Sequence, residues 1–286
     1  MKKDLQESKL FTPYQMGPVT LRNRVIRSAA FESMGKDFAP TQDLKDYHVS
    51  VARGGVGMTT LAYASINRSG VSFNSQLWLR DEIVPQLRDI TDAVHAEGAA
   101  VGIQIGHCGN MTHWSTAGSF PVSASNGFNL YSPTFHRRMT HEDIAQTAKD
   151  FGKAVYTAHE AGFDSVEVHA GHGYLISQFL SPWTNRRRDE FGGSLENRMR
   201  FMKMCLTEVM EAAAKCNMAV LVKHNMEDGF KSGIQIPESI EIAKEIEKFG
   251  VHGIVLSSGF VSRAPMAVMR GRIPTKTMGY YMGWNE

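Results

Sequence analysis

The sequence lacks the cysteine patterns on which metal centres, iron–sulfur clusters and disulfide frameworks depend. Its three cysteines, Cys108, Cys205 and Cys216, are far apart and form no CxxC pair. It also lacks a GxGxxG turn after the first predicted strand, where RSAAFESMG follows instead. These absences argue against a structural zinc site, a secreted disulfide scaffold and a Rossmann dinucleotide domain. We therefore expect a protein of the reducing cytoplasm.

An excess of charge of one sign and long apolar runs are missing as well. Lys plus Arg number 31 against 29 Asp plus Glu, so a formal charge of +2 offers no strong field to nucleic acid or anionic membrane. No stretch approaches the ~20 apolar residues of a membrane span, and MKKDLQESKLFTPYQ has no apolar signal core. We expect a small-molecule substrate and no nucleic acid or membrane as partner, and the chain could form a homo-oligomer.

Short apolar runs do occur, and they alternate with helical patterns. Most lack the polar alternation of a half-exposed strand, as is typical of parallel strands covered on both faces. This order predicts an α/β fold, and we favour a (β/α)8 TIM barrel. The predicted strands are RVIRSAA (24–30), GVGMTTLAYA (55–64), AAVGIQIG (99–106), FDSVEVHA (163–170), MAVLVKHN (218–225) and HGIVLSSG (252–259).

The helices between these runs carry start and stop signals. Thr140 is a predicted N-cap followed by acidic residues, and Gly98 is a predicted stop for the helix before it. In PESIEIAKEIEKFG, we expect Ile240, Ala243 and Ile246 to form the buried stripe.

Six runs are fewer than the eight strands of a barrel, which uses roughly 30 residues per strand and helix. After LSSGF the sequence shows no further strand. We therefore expect residues 1–286 to form a single barrel domain, truncated after its sixth strand and incomplete at its C-terminus.

Polar residues follow the predicted strands, where barrels place their active sites. In VEVHAGHGY (166–174), His169 and His172 allow three interpretations. They could bind a metal with Glu167 or His107, hydrogen-bond the backbone around a tight glycine turn, or donate together to one substrate oxygen with the Tyr174 phenol as proton donor. Lys223 could form a Schiff base or neutralise an anionic cofactor. The Gln104 amide suits a flat heterocycle with alternating donors and acceptors.

A long segment resembles a known family. HAGHGYLISQFLSPWTNRRRDEFGGSLENRMRF (169–201) is similar to the signature of the old yellow enzyme family of FMN-dependent NAD(P)H oxidoreductases, which includes ene-reductases and the barrel domain of 2,4-dienoyl-CoA reductases. LFTPYQMGPVTLRNRVIRSAA (10–30) resembles that family's opening hairpin and first strand, and GIQIGHCG and VLVKHNMEDGF follow in the expected order.

The resemblance implies a barrel that binds FMN at its mouth and moves hydride from NADH or NADPH through the flavin to an activated, carbonyl-conjugated alkene. His169 and His172 would bind the electron-withdrawing oxygen of the alkene, and Tyr174 would give the proton. The implied cofactor-binding residues are Ser28, Ala29, Ala30, Ala62, Gln104 and Lys223. Arg186, Arg187 and Arg188 in NRRRDEFGG could form a basic patch, but the family motif implies that its arginine and Asp189 shape a loop.

The chain departs from the family pattern in places. Phe31 occupies a position where the family often has threonine or cysteine, and Lys223 one where many members have arginine. The FMN phosphate site is expected in the loops after strands seven and eight. The alternatives are a metal-dependent or Schiff-base barrel enzyme acting on a carbonyl substrate, and an inactive fragment without cofactor.

Overall fold

The fold, seen in a computed structural model that describes residues 8–268, contains twelve strands. In chain order they are β1 (Tyr14–Met16), β2 (Val19–Leu21), β3 (Ile26–Arg27), β4 (Met58–Ser65), β5 (Leu77–Trp78), β6 (Ala100–Gly106), β7 (Val122–Ser123), β8 (Gly127–Asn129), β9 (Thr134–Arg138), β10 (Ser165–Ala170), β11 (Ala219–Asn225) and β12 (Gly253–Ser257).

The main sheet is parallel, with the order β12–β11–β10–β6–β4–β3 and the short β5 attached to β4. These are the six predicted strands, each confirmed. Every residue of β4, β10 and β11 is buried, because the sheet is covered on both faces. The six strands and their helices form part of a TIM barrel, which confirms the predicted fold class.

The helices are α1 (Gln42–Arg53), α2 (Val84–Ala96), α3 (Trp114–Ala117), α4 (His141–Glu160), α5 (Leu175–Leu180), α6 (Leu195–Cys216), α7 (Ile236–Lys248) and α8 (Pro265–Val268). Thr140 caps α4 as predicted, in a capping box with Asp143. The stripe predicted for α7 is partly wrong. Ile246 is buried, but Ile240 is 50% exposed and Ile242 is buried in its place.

Two smaller sheets complete the structure. The antiparallel hairpin β1–β2 buries Met16 and Leu21 against Met58 and Ala219, the first residues of two barrel strands. It therefore covers the amino end of the main sheet, in agreement with the opening hairpin that the resemblance implied. The sheet β7–β9–β8 lies in the long connection between β6 and α4 and was not predicted.

Most of the stretch after Phe260 in which we predicted no strand, residues 269–286, lies outside the described residues; the part before it contains α8. Among residues 8–268, none of the helices is long and apolar enough to cross a bilayer.

Candidate functional site

A cavity of ≈ 670 Å³ opens at the carboxyl ends of the barrel strands. This volume lies in the range of small-molecule and cofactor sites. All of the predicted site residues except Ala62 line it: Ser28, Ala29, Ala30, Gln104, His169, His172, Tyr174 and Lys223. Ala62 is buried in a small apolar cluster with Ala29 and Tyr63, against which Tyr174 packs.

The turn after β10 brings the two histidines and the tyrosine together. His172 adopts a left-handed conformation (φ 59°), and Gly173 follows with φ 82°. Only glycine fits at position 173, because a Cβ there would lie 2.4 Å from the Phe260 ring. The His172 backbone N–H donates to Asn225 Oδ1 at 3.0 Å, which fixes the unusual conformation.

The rings of this turn are in mutual contact. The His169 ring lies 5.1 Å from the His172 ring and 4.7 Å from the Tyr174 ring, measured between centroids. Tyr63, on β4, contacts both His169 and Tyr174, and its hydroxyl hydrogen-bonds Ser72 Oγ at 2.8 Å. The pairing of β4 with β6 shifts register between Leu61 and Ala64, beside Tyr63, which lines the cavity.

Both imidazoles are neutral at pH 7. Burial lowers the pKa of His169 well below its usual range, and the nearby His172 and Lys223 lower it further. Burial, with Lys223, lowers the pKa of His172 to about 3. The Gly171 N–H donates to His169 Nδ1 at 3.3 Å, so we assign the His169 proton to Nε2, where it can be donated. His172 Nε2 hydrogen-bonds Ser257 Oγ.

Tyr174 is a protonated phenol at the edge of this group. Burial raises the pKa of its hydroxyl above the usual value, with smaller contributions from Cys108 and Tyr131. Within residues 8–268 its hydroxyl has no hydrogen-bond partner. The group can therefore donate to a ligand without breaking an existing bond.

A buried row of polar groups crosses the sheet beneath the cavity. Lys223 Nζ donates to the Ala29 carbonyl at 2.7 Å and lies 3.2 Å from Glu167 Oε1. Gln104 Nε2 donates to the same Glu167 oxygen at 2.6 Å. The parallel register pairs Glu167 with Gln104 and His169 with Lys223, which explains why these side chains meet.

From the sequence, Glu167 was considered only as a metal ligand, within one of the three interpretations of His169 and His172. Its carboxylate instead lies 3.2 Å from Lys223 Nζ and accepts from Gln104. A Schiff base needs a free amine, whereas Lys223 Nζ is engaged by Glu167 and by the Ala29 carbonyl, so these contacts favour the cofactor-binding role of Lys223. Within residues 8–268, the His/Asp/Glu group with metal-ligand spacing is the surface set His141, Asp189 and Glu190, away from His169 and His172.

Two further predicted candidates lie outside the cavity. His107 is buried with a pKa lowered to about 4 by burial, and its Nδ1 accepts from the Gly109 N–H at 3.0 Å. Arg187 is buried and forms a two-pronged pair with Asp189, at 2.9 and 2.7 Å. It also donates to the Ala124 and Met139 carbonyls, as the predicted loop-shaping role requires.

The sequence reasoning missed the aromatic rim of the cavity. Phe31 stacks on Phe73 with 5.5 Å between ring centroids, and both side chains are exposed at the mouth. Phe31 was singled out only as a departure from a family pattern. Its partner lies in the connection after β4, which no periodicity could identify.

Known proteins resemble this chain over most of its length. The family model for the NADH:flavin oxidoreductase / NADH oxidase family matches residues 9–277. A 4,4'-dithiodibutanoate disulfide reductase of Rhodococcus erythropolis is 35% identical over 266 residues, which are 93% of this chain and 66% of that protein. An NADPH dehydrogenase of Listeria welshimeri is 35% identical over 272 residues, 93% of this chain and 78% of that protein.

Among solved structures, the old yellow enzyme homologue from Zymomonas mobilis superposes with a TM-score of 0.81 at 26% identity, over 89% of this chain and 74% of that one. Among the relatives by sequence, the chain spans 66% of the length of the Rhodococcus reductase, slightly less than two thirds.

Proposed function

Because the chain belongs to the NADH:flavin oxidoreductase / NADH oxidase family, which is the old yellow enzyme family, we propose that it uses FMN to carry hydride from NADH or NADPH to an activated alkene. The observation that supports this most strongly is the meeting of His169, His172 and Tyr174 at one cavity, beside Gln104 and Lys223. We further propose that residues 1–286 act as one domain in this function.

The residues of the cavity fit the ring system of FMN. Gln104 Nε2 donates to Glu167. Gln104 Oε1 has no partner among the described residues, so it can accept a hydrogen bond from the imide N–H of a flavin. Lys223 uses two contacts, to Ala29 and Glu167, and retains a third N–H for an electron-rich ring atom. When bound, FMN supplies the redox chemistry by taking a hydride from NAD(P)H and passing it to the second substrate.

The imidazoles bind and polarise the alkene. Negative charge develops on the conjugated carbonyl oxygen in the transition state, and preorganised N–H donors stabilise it there. His169 Nε2–H is such a donor, and the bond between His172 and Ser257 holds the second ring in place. Because burial lowers both pKa values, both rings stay neutral between pH 6 and 8.

Tyr174 holds the proton that completes the reduction. Its raised pKa keeps the hydroxyl protonated, and its free donor adjoins the histidines that would hold the substrate oxygen. A proton supplied at the α-carbon would neutralise the charge that hydride addition leaves on the substrate.

The substitution Tyr174→Phe tests the proposal. It removes one oxygen, and we expect alkene reduction to slow by about 10²- to 10⁴-fold while flavin reduction by NADPH keeps its rate. Stopped-flow absorbance of the two half-reactions separates the effects. Tyr156→Phe, on the exposed face of α4, is the matched control. Equal losses in both half-reactions of Tyr174→Phe would contradict the proton-donor role.

A disulfide is a second candidate substrate, because the chain is 35% identical to the Rhodococcus disulfide reductase. Hydride addition to one sulfur would give a thiol and release the other sulfur as a thiolate. The same imidazole donors would stabilise that anion. NADPH consumption with 2-cyclohexenone against consumption with 4,4'-dithiodibutanoate, each at equal concentration, would separate the two substrate classes.

A further inference from the structure

A second cavity of ≈ 380 Å³ adjoins the mouth and has a different character. Three pairs of sequence neighbours join the two spaces, with one member lining each: Asn110 and Met111, Leu130 and Tyr131, Ser262 and Val261. Phe260 also links them, since it bridges to the His172 backbone and packs against Trp183 in the second cavity. A ligand seated at the histidines could therefore extend into this space.

The side chains of the second cavity are cationic and aromatic. Arg186 and Arg263 line it together with Trp183 and His136, and its described lining contains no aspartate or glutamate. The Arg263 guanidinium lies over the Trp183 ring, 6.0 Å from its centroid. Trp183 is held edge-on against Phe230 and Phe260, each at 5.3 Å.

The charges of Arg186 and Arg263 are not balanced by a neighbouring carboxylate among residues 8–268. Arg186 Nη2 donates to the Asn126 carbonyl at 2.9 Å, which orients the guanidinium but does not neutralise it. In the part of the chain that the structure describes, neither Arg186 nor Arg263 pairs with a carboxylate. Arg187 and Arg198 differ, because each is buried and paired with an acid, Asp189 and Glu238 respectively.

His136 completes the wall as a neutral group. Its Nδ1 hydrogen-bonds the Ser125 carbonyl at 3.0 Å and its Nε2 lies 3.3 Å from Asn110 Nδ2. The carbonyl fixes the proton on Nδ1, so Nε2 accepts from the amide. The wall thus leaves two guanidinium groups as the charged donors facing the cavity.

We propose that this second cavity is a subsite for the anionic tail of a ligand whose reacting end lies at His169 and His172. Guanidinium groups bind phosphate and carboxylate with paired, charge-assisted hydrogen bonds, and the Trp183 face can cover the adjoining part of the ligand. The inference rests on the proposed function. The anion can come from the diphosphate of the nicotinamide dinucleotide or from a carboxylate on the substrate.

Equilibrium binding to the full chain tests the subsite without any redox step. Calorimetric titrations would use ADP-ribose, which carries the diphosphate without the nicotinamide, and 4,4'-dithiodibutanoate, which carries two carboxylates. We expect the double variant Arg186→Gln/Arg263→Gln to weaken binding of at least one probe by about tenfold or more. The probe that responds identifies the source of the anion.

Arg188→Gln is the matched control, since Arg188 is exposed, lies two residues after Arg186 in the sequence and is absent from the cavity lining. It removes the same charge per site and should change binding less than about twofold. Adenosine and the dimethyl ester of the dicarboxylate should bind equally to the wild type and the double variant. Arg263→Gln alone, at an exposed position, repeats the test if the double variant has a lower melting temperature.

Probe affinities that are the same in the wild type and the double variant would overturn the subsite, as would equal weakening by Arg188→Gln or no probe binding at all. Failure of the proposed function gives a different result, because flavin reduction would be absent while the arginine-dependent binding persisted. A subsite failure alone would leave flavin reduction by a phosphate-free dihydronicotinamide intact.

Discussion

The two ends of the parallel sheet use polar residues in opposite ways. At the amino end, Asp164 Oδ2 accepts from the Val101 N–H at 2.7 Å and from His95 Nε2 at 2.8 Å. Arg22 there donates to three backbone carbonyls, of Val56, Glu97 and Ala52. At the carboxyl end, His169, Gln104 and Tyr174 each keep a donor or acceptor that no other residue between 8 and 268 uses. Size does not distinguish the ends, since an open cavity of ≈ 850 Å³ lies at the amino end.

Saturated polar groups maintain the fold, whereas buried groups with spare hydrogen-bonding capacity are available for chemistry. Burying such capacity costs free energy unless a ligand uses it. We therefore expect substitutions at the carboxyl end to affect turnover, and substitutions at the amino end to affect stability.

The largest effect is expected at the carboxyl end. His169→Phe keeps a ring in contact with Tyr63 and Tyr174 but removes the Nε2–H donor. We expect alkene reduction per folded molecule to fall by about 10²- to 10³-fold, while loss of the 3.3 Å bond from the Gly171 N–H should lower the free energy of unfolding by only about 1 kcal/mol. His159→Phe, exposed on α4 at the other end of the sheet, should leave both quantities unchanged. Steady-state rates and urea titrations measure both variants, and a rate loss explained by unfolding would show that His169 mainly maintains the fold.

At the amino end we expect the reverse. Asp164→Ala leaves the Val101 N–H and the His95 ring without their acceptor and should lower the free energy of unfolding by about 1–3 kcal/mol. Flavin reduction and alkene reduction per folded molecule should not change. Glu211→Ala, at an exposed position of α6, controls for loss of a carboxylate. A specific loss of turnover in Asp164→Ala would show that the two ends are coupled.

The smallest expected effect is a difference between His172 and His95 in how each makes the free energy of unfolding depend on pH. The pKa of His172 falls from 6.5 to about 3 on folding. The unfolded chain therefore binds a proton that the folded chain does not, and stability is lost as the pH falls below about 6.5. The hydrogen bond to Asp164 raises the pKa of His95. Its contribution is complete below pH 6.5 and is lost as the pH rises through that raised value.

Urea unfolding at pH 5 and pH 7.5 distinguishes the opposite pH dependences of the His172 and His95 contributions to stability. Relative to wild type, His172→Asn should lose less stability when the pH falls from 7.5 to 5. Asparagine is chosen because it tolerates the left-handed backbone at this position. His95→Gln should lose more stability than wild type over the same pH change, because it lacks the contribution that the His95–Asp164 pair makes at low pH. The difference should be a fraction of a kcal/mol, since the pair is partly exposed. Identical pH slopes for all three proteins would contradict both assignments.

The strand pattern and the mouth residues could be predicted from the sequence because each depends on local signals. The apolar runs mark the strands, and the polar residues directly after them mark the mouth. The link between Glu167 and Lys223 could not be predicted, since it depends on the register of β10 against β11. The contact between His172 and Ser257 spans 85 residues of sequence. The short strands β7–β9 carry too few residues for a period to be recognised.

Absorbance spectroscopy of the purified chain with FMN tests the central claim most directly. We predict that FMN binds with a shifted visible spectrum, that anaerobic NADPH or NADH bleaches it, and that Gln104→Leu weakens binding while His95→Gln does not. A chain that binds no FMN, or a Gln104→Leu variant that binds it as tightly as wild type, would contradict the assignment of this cavity.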